Sequence, residues 1–322
     1  MRNMKNIILP VFLFVIINLS QAQQLPYFTQ FKTNSVMLNP AVTGTKRLLD
    51  IRMNYRNQWV GYDANPKTQG FDINSRFMKG TMGAGLSLYK DQTGYTTRSI
   101  YAATYAYHIH YPDVELSMGL GANMIKYSID GSKITSRESF DQAINTAVMA
   151  RTKAFDANAG ILLYNDRFHF GLGVLDLLSS REKFFKGDTV KKISLAMIPH
   201  TYVTVGYNWS GDPRFVWENS IQVNLTSAAP IQLAYNLLIH YKNQITAGTS
   251  IRLHDAIALH IGYTFRDDLY VAYSYDIGIN GLKTYHTNTH EIMLVYSTNL
   301  PRYFGKKGSV KEFQRQKFAY MF

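Results

Sequence analysis

From residue 48 onward the chain alternates apolar and polar side chains in segments of about ten residues. In Leu48–Asn57, Ile51, Met53 and Tyr55 share one parity, and Arg52, Asn54 and Arg56 the other. In Ile231–Tyr241, Ile231, Leu233, Tyr235, Leu237, Ile239 and Tyr241 oppose Gln232, Ala234, Asn236 and His240. Successive side chains of a strand point to opposite faces, so a period of two predicts strands with one apolar and one polar or small side. The other segments are Lys67–Phe77, Thr81–Tyr89, Thr96–His110, Val114–Tyr127, Ala154–Tyr164, Arg167–Leu175, Thr201–Trp209, Phe215–Leu225, Gln244–Leu253, Ala256–Phe265, Leu269–Gly278 and Thr287–Ser297. Together they make fourteen strands.

A soluble β-sandwich has the same period, and three features favour a membrane barrel instead. Segment lengths match the roughly 9–11 residues of a transmembrane strand. Aromatics recur near segment ends, among them Tyr111, Tyr127, Tyr164, Tyr207, Trp209, Trp217, Phe265, Tyr270 and Tyr296, as in an interfacial girdle. The connections are asymmetric. Those after even-numbered segments are short, such as Asn165-Asp166 and Lys242-Asn243; the two longest, 128–153 and 176–200, follow odd-numbered ones. Outer-membrane barrels have short periplasmic turns and longer outside loops. The expectation is therefore an all-β transmembrane antiparallel barrel of about fourteen strands, with both termini in the periplasm. Within the first long loop, Ser139–Met149 has a Ser cap and a helix-favouring run. In the second, Arg181–Asp188 reads as an exposed charged stretch.

Composition adjusts this picture at both ends. Residues 1–22 carry Arg2 and Lys5, an apolar core from Ile7 to Leu19, and a small-x-small site at Ser20-Gln21-Ala22, which reads as a secretory signal. Its removal takes the formal charge from +12 to +10. A basic chain invites a nucleic-acid reading, but export and the lack of a nucleic-acid-binding motif argue against it. The chain has 0 cysteines, which excludes disulfides, thiol catalysis and Cys metal sites. The domain order expected is signal 1–22, an N-terminal periplasmic segment and possible plug 23–47, a barrel 48–298, and a tail 299–322. The tail carries Arg302, Lys306, Lys307, Lys311, Arg315 and Lys317 against Glu312, a net of +5, with several aromatics. Aromatics are scarce in disordered segments, so the tail reads as a contact for a periplasmic partner or as a segment that docks into the barrel mouth.

The stretch before the first strand neither alternates nor repeats at helical spacing, and is dense in Asn, Pro, Gly and aromatics. It contains Gln24, Pro26, Phe28-Thr29-Gln30-Phe31, Asn34, Asn39-Pro40-Ala41 and Gly44. After the first strand begins come Arg56, Gln58-Trp59 and Gly61, then Pro66 and Thr68. With the fourteen strands, these residues resemble the PorP/SprF family of Bacteroidetes outer-membrane proteins of type IX secretion. The sequence departs from the family at Ala64-Asn65-Pro66, where Gly-Ala-Pro is frequent. The resemblance implies a component that assists secretion or surface attachment of large adhesins. Its partners would be a secreted surface adhesin, periplasmic motor-ring proteins and outer-membrane lipid. It also marks Gln30, Asn34, Asn39, Pro40, Gly44, Arg56, Gln58, Trp59, Gly61, Pro66 and Thr68 as motif residues and possible partner contacts. From the alternation itself, Arg52, Arg56, Asp72 and Arg76 are placed in the lumen, since Arg facing lipid near the midplane costs about 2–4 kcal/mol.

No enzyme is read from the sequence, and no cofactor or metal is expected. His286 and His290 on a strand lie about 13 Å apart, too far for one ion, while His108 and His110 are about 7 Å apart. Neither pair belongs to a recognised nucleophile or metal motif. The rival reading is a passive porin or a hydrophobic-compound transporter.

Overall fold

The computed structural model describes residues 28–46, 48–130, 149–184, 193–227, 229–266, 268–281 and 287–298. The expected signal, all but the last residue of the Ser139–Met149 helix, the whole tail 299–322 with its basic residues, and part of Arg181–Asp188 lie outside these residues.

The described residues form sixteen strands. They are β1 (Leu49–Asn57), β2 (Lys67–Phe77), β3 (Met82–Thr93), β4 (Thr96–His110), β5 (Glu115–Asp130), β6 (Met149–Tyr164), β7 (Phe168–Leu175), β8 (Arg181–Phe184), β9 (Ile193–Ala196), β10 (His200–Asp212), β11 (Phe215–Thr226), β12 (Ala229–Tyr241), β13 (Ile245–Arg252), β14 (Ala256–Phe265), β15 (Leu269–Gly278) and β16 (Thr289–Thr298). All but β8 and β9 close into one fourteen-stranded barrel, in which β7 pairs with β10 and β1 with β16. Every neighbouring pair in the barrel is antiparallel. Closure leaves no unpaired sheet edge around the girth, the condition for strands to span a bilayer.

Apolar side chains point outward along the wall: Met53, Leu86, Phe155, Ile261 and Ile292 are all exposed. The opposite parity is buried and polar, for example Arg52, Ser87, Asn158, Gln222, Ser274 and Glu291. The alternation thus resolves into lipid face and lumen. Three aromatics expected at the girdle take the inward parity instead. Tyr164 is buried and donates to Glu115, Tyr270 packs on Ala272, Met293 and Val295, and Tyr127 shares its parity with buried Asn123 and Ile125. Parity outweighs their position near a strand end.

Three strands run further toward the long loops than the alternation suggests. β3 continues past Tyr89 to Thr93, β5 past Tyr127 to Asp130, and β6 starts at Met149 rather than Ala154. At and beyond those points the outward positions are polar: Lys90 on β3, Lys126 and Ser128 on β5, and Lys153 on β6. Water has replaced lipid there, so the apolar signal stops while backbone pairing continues. In the second long loop, β8 and β9 form a separate two-stranded hairpin.

Residues 28–46 lie inside the barrel. Their partners face inward from almost every side, on β1, β2, β3, β4, β5, β6, β7, β11, β13, β15 and β16. Thr29 is held near the long-loop end by Arg56, Arg252 and Asp276. Thr43 and Gly44 meet His108, Gly83 and Asn74 near the short-turn end. The segment was expected as an N-terminal periplasmic segment and possible plug. Residues 28–46 run the length of the lumen before the chain turns into β1. The segment's polar groups find partners within its own turns and on the inward side of the wall, so it is held along the whole height of the barrel.

Candidate functional site: the filled lumen

Two short 3-10 turns, Ser35–Met37 and Pro40–Val42, shape the internal segment. Pro40 opens the second, where a missing N–H costs nothing. Asn39 caps it: its Oδ1 accepts from Ala41 N at 2.9 Å, and its Nδ2 donates to the Ile161 carbonyl of β6 at 3.0 Å. One side chain therefore fixes the turn and ties it to the wall. Gly44 has φ +74, a left-handed conformation that favours glycine, and donates to Asn74 Oδ1 at 3.1 Å. Gln30 donates through its backbone to Glu291 and through Nε2 to Ser274 at 3.3 Å. Asn34 is buried beside Tyr89, whose hydroxyl donates to Asp72 at 2.9 Å.

The wall makes room for this backbone with small residues. A Cβ on Gly119 would overlap the Ala41 backbone, and one on Gly173 would overlap the Leu38 carbonyl. Apolar patches complete the seal: Phe31 and Leu38 pack with Leu175, Tyr202 and Ala234, and Val36, Ala41 and Val42 pack with Leu162 and Tyr164.

Charges are arranged in tiers. Near the loop end, Arg56 donates to Glu291 and Asp276, each at 2.9 Å, and Arg252 donates to Asp276 at 2.8 Å and to Asp255 at 2.7 Å. Thr29 Oγ1 donates to Asp276 at 2.6 Å, and the same oxygen accepts from both arginines at 2.6 and 2.7 Å. Two arginines and Asp276 thus converge on one hydroxyl of the segment, while Glu291 accepts from the Thr29 backbone N–H at 2.9 Å. Deeper, Arg52 pairs with Asp50 and donates to the Thr33 carbonyl at 2.8 Å. Lys32 pairs with Glu218 at 2.5 Å, and His240 holds the other Glu218 oxygen at 3.0 Å. At the turn end, half-buried Arg76 pairs with Glu115 at 2.7 Å. Removing a charge from water is costly unless it is paired and hydrogen-bonded, and in the loop-end and deeper tiers the segment supplies partners through Thr29, Gln30, Lys32 and Thr33.

The expected lumen charges Arg52, Arg56 and Asp72 are buried inside, and Arg76 sits at the turn end. The motif residues divide into two groups. Gln30, Asn34, Asn39, Pro40 and Gly44 belong to the internal segment and are buried. Gln58, Trp59, Gly61 and Pro66 shape the β1–β2 loop at the opposite end. Gln58 N donates to the Pro66 carbonyl at 2.9 Å, and Trp59 N, at φ 54, donates to Thr289 at 3.1 Å. Thr68 donates to Asp91 at 2.6 Å at the start of β2. Arg56 connects the groups, because it closes β1 below the loop and grips Thr29. His108 and His110 share the inward parity but serve different contacts: His108 meets the Thr43 carbonyl and His110 meets Arg76.

Sequence reading did not single out Thr29 within its motif, nor Lys32, Glu218, Arg252, Asp276 and Glu291. The four strand residues in this set all occupy the polar parity, so the signal was present in the alternation. What it lacked was a partner, since Thr29 and Glu291 are 262 residues apart.

No curated protein matches the chain. Among solved structures, the P. putida toluene transporter TodX has a TM-score of 0.48 at 10% identity, covering 83% of this chain and 95% of its own. The CymD monoaromatic hydrocarbon channel gives 0.47 at 11%, covering 83% and 93%. The Acinetobacter baumannii outer membrane protein Omp33 gives 0.44 at 9%, covering 79% and 100%. Residues 20–296 match a family described as the type IX secretion system membrane protein PorP/SprF. The internal segment, the ladder of lumen charges and all but the last two residues of the barrel that encloses them fall within that span, and the chain belongs to the PorP/SprF family of outer-membrane type IX secretion proteins.

Proposed function

We propose that this protein is a plugged, non-enzymatic accessory of type IX secretion. It assists the secretion or surface attachment of a large adhesin and contacts periplasmic motor-ring proteins. The observation that carries the reading is the lumen: residues 28–46 fill it from loop end to turn end and are fastened at both. A passive porin or a hydrophobic-compound transporter needs a passage that this segment occupies. The partner surfaces then lie at the two ends of the barrel, at the β1–β2 loop outside and at the turns and the basic tail on the periplasmic side.

Planar-bilayer recording combined with native co-purification tests this. The purified protein is expected to give no steady conductance, and outer-membrane pull-downs are expected to bring down a type IX cargo or periplasmic ring proteins. Steady single-channel conductance, with no secretion defect on deletion of the gene, would replace this reading with the porin one.

A further inference from the structure

The lipid-facing wall is not uniform. On β3 to β6 a groove of about 450 Å³ opens outward. Its floor is Ala103 and Ala122, which face each other in register and are both exposed. Its wall on the loop side is a row of four large side chains, Leu88, Tyr101, Met124 and Phe155, paired across consecutive strands. The groove is thus a strip of small residues bounded by a ridge, on the part of the barrel that meets hydrocarbon.

Two residues above that ridge the register runs Lys90, Ser99, Lys126, Lys153. At a rise of about 3.3 Å per residue this places the lysine row about 7 Å beyond the groove wall. Neighbouring strands lie about 4.8 Å apart, so the three ammonium groups fall within reach of one headgroup. Lys126 Nζ lies 4.8 Å over the ring of Tyr101, which tethers it at the rim of the groove. Among the described residues, Lys90, Lys126 and Lys153 form no ion pair with a carboxylate. The row also marks where the apolar band ends on these strands, at the height of the membrane surface.

Interfacial lysines that merely snorkel would be spread around the girth. Here they are not: no Lys or Arg occupies the outward parity of β1, β7 or any strand from β10 to β16. The cations gather on the same face as the groove. A concave apolar site beneath a cationic rim on the loop-end leaflet has the complementarity of an amphiphile with acyl chains below and phosphate above. Attraction of this kind amounts to about 1 kcal/mol per Lys near an anionic membrane surface.

We propose that this face is a binding site for a phosphorylated glycolipid of the outer leaflet. One acyl chain lies in the groove over Ala103 and Ala122, and a headgroup phosphate is held by Lys90, Lys126 and Lys153. The site lies on the outside of the wall opposite the part of the internal segment near Ala41, so a bound lipid would stiffen the strands against which that segment packs.

The test is competitive retention in phosphatidylcholine nanodiscs, read by native mass spectrometry. The probes are diphosphoryl lipid A, enzymatically dephosphorylated lipid A and phosphatidylethanolamine. The wild-type protein is expected to retain diphosphoryl lipid A at least about tenfold over the dephosphorylated form. The combined Lys90→Gln, Lys126→Gln, Lys153→Gln variant should lose that preference. An Ala103→Leu, Ala122→Leu variant should lose retention of both lipid A forms. Equal retention of the two forms by wild type, or an unchanged preference in the lysine variant, overturns the proposal. So does a stable dimer that the alanine variant disrupts while lipid A retention stays intact, since the face would then belong to a second copy. Both variants are checked for heat-modifiable migration, and if either fails to fold, the wild-type competition alone decides.

Discussion

Arg56 lies one residue from the loop end of β1, where it holds Glu291, Asp276 and the Thr29 hydroxyl together. Replacing it by leucine leaves two buried carboxylates with Arg252 as their nearest cation, and Arg252 reaches only Asp276. Breaking a buried pair from one side costs about 3–5 kcal/mol. The cost is relieved if the upper part of the internal segment leaves its place and water enters. The chain contains 0 cysteines, so a single introduced thiol reports on this directly. In an Arg56→Leu background, Ser35→Cys is expected to react with a membrane-impermeant maleimide about a hundredfold faster than in the wild-type background, with the barrel still heat-modifiable. An unchanged rate would mean that Thr29 is held by packing rather than by the arginine.

At the level of elements, the wall and the internal segment were legible to different degrees. Every barrel strand announced itself because lipid and lumen impose opposite chemistry on alternate residues, as in β12 and β14. The extensions of β3, β5 and β6 were illegible for the same reason: once both faces meet water, the alternation vanishes though the hydrogen bonds continue. The internal segment carried recognisable turn chemistry in Asn39-Pro40 and Gly44. Its location could not be read, because each of its contacts is with a strand far along the chain, as between Asn39 and Ile161 or Thr29 and Asp276. Glycine on the inward parity of β5 and β7 was the overlooked clue, since a lumen open to water has no need of such close approach. Gly119→Val drives a side chain into the Ala41 backbone. Neither β5, paired along its full length on both sides, nor the Pro40–Val42 turn can move freely. The segment is expected to be displaced at its turn-end half, giving conductance steps in planar bilayers where the wild type gives none. A silent, folded variant would show that the lumen remains closed without this contact.

At the scale of the molecule, the barrel is complete by Thr298. β1 and β16 pair from Leu49↔Thr298 to Asn57↔His290, and the segment that fills the lumen is fastened by residues before Leu49. Among the described residues, the closure is made by β1 and β16 and the filling by residues 28–46. The stretch 299–322 lies beyond the family match, which ends at 296. Its net charge of +5 is half of the +10 left on the chain after the leader, concentrated in 24 residues. Both β1 and β16 meet at the short-turn end, so the chain leaves the barrel on the periplasmic side. A cationic, aromatic-rich stretch emerging there suits an acidic periplasmic surface, and attraction between exposed charges is screened over about 8 Å at physiological ionic strength. A chain truncated after Thr298 is therefore expected to keep its heat-modifiable migration and its silent lumen, while losing capture of periplasmic ring proteins in pull-downs. In the full-length protein, the same capture should weaken as salt is raised from 50 to 500 mM, which a contact made by the turns through apolar packing would not do. Undiminished capture by the truncated chain would move the periplasmic contact to the turns around Tyr111 and Met78, whose side chains are exposed at the same end of the barrel.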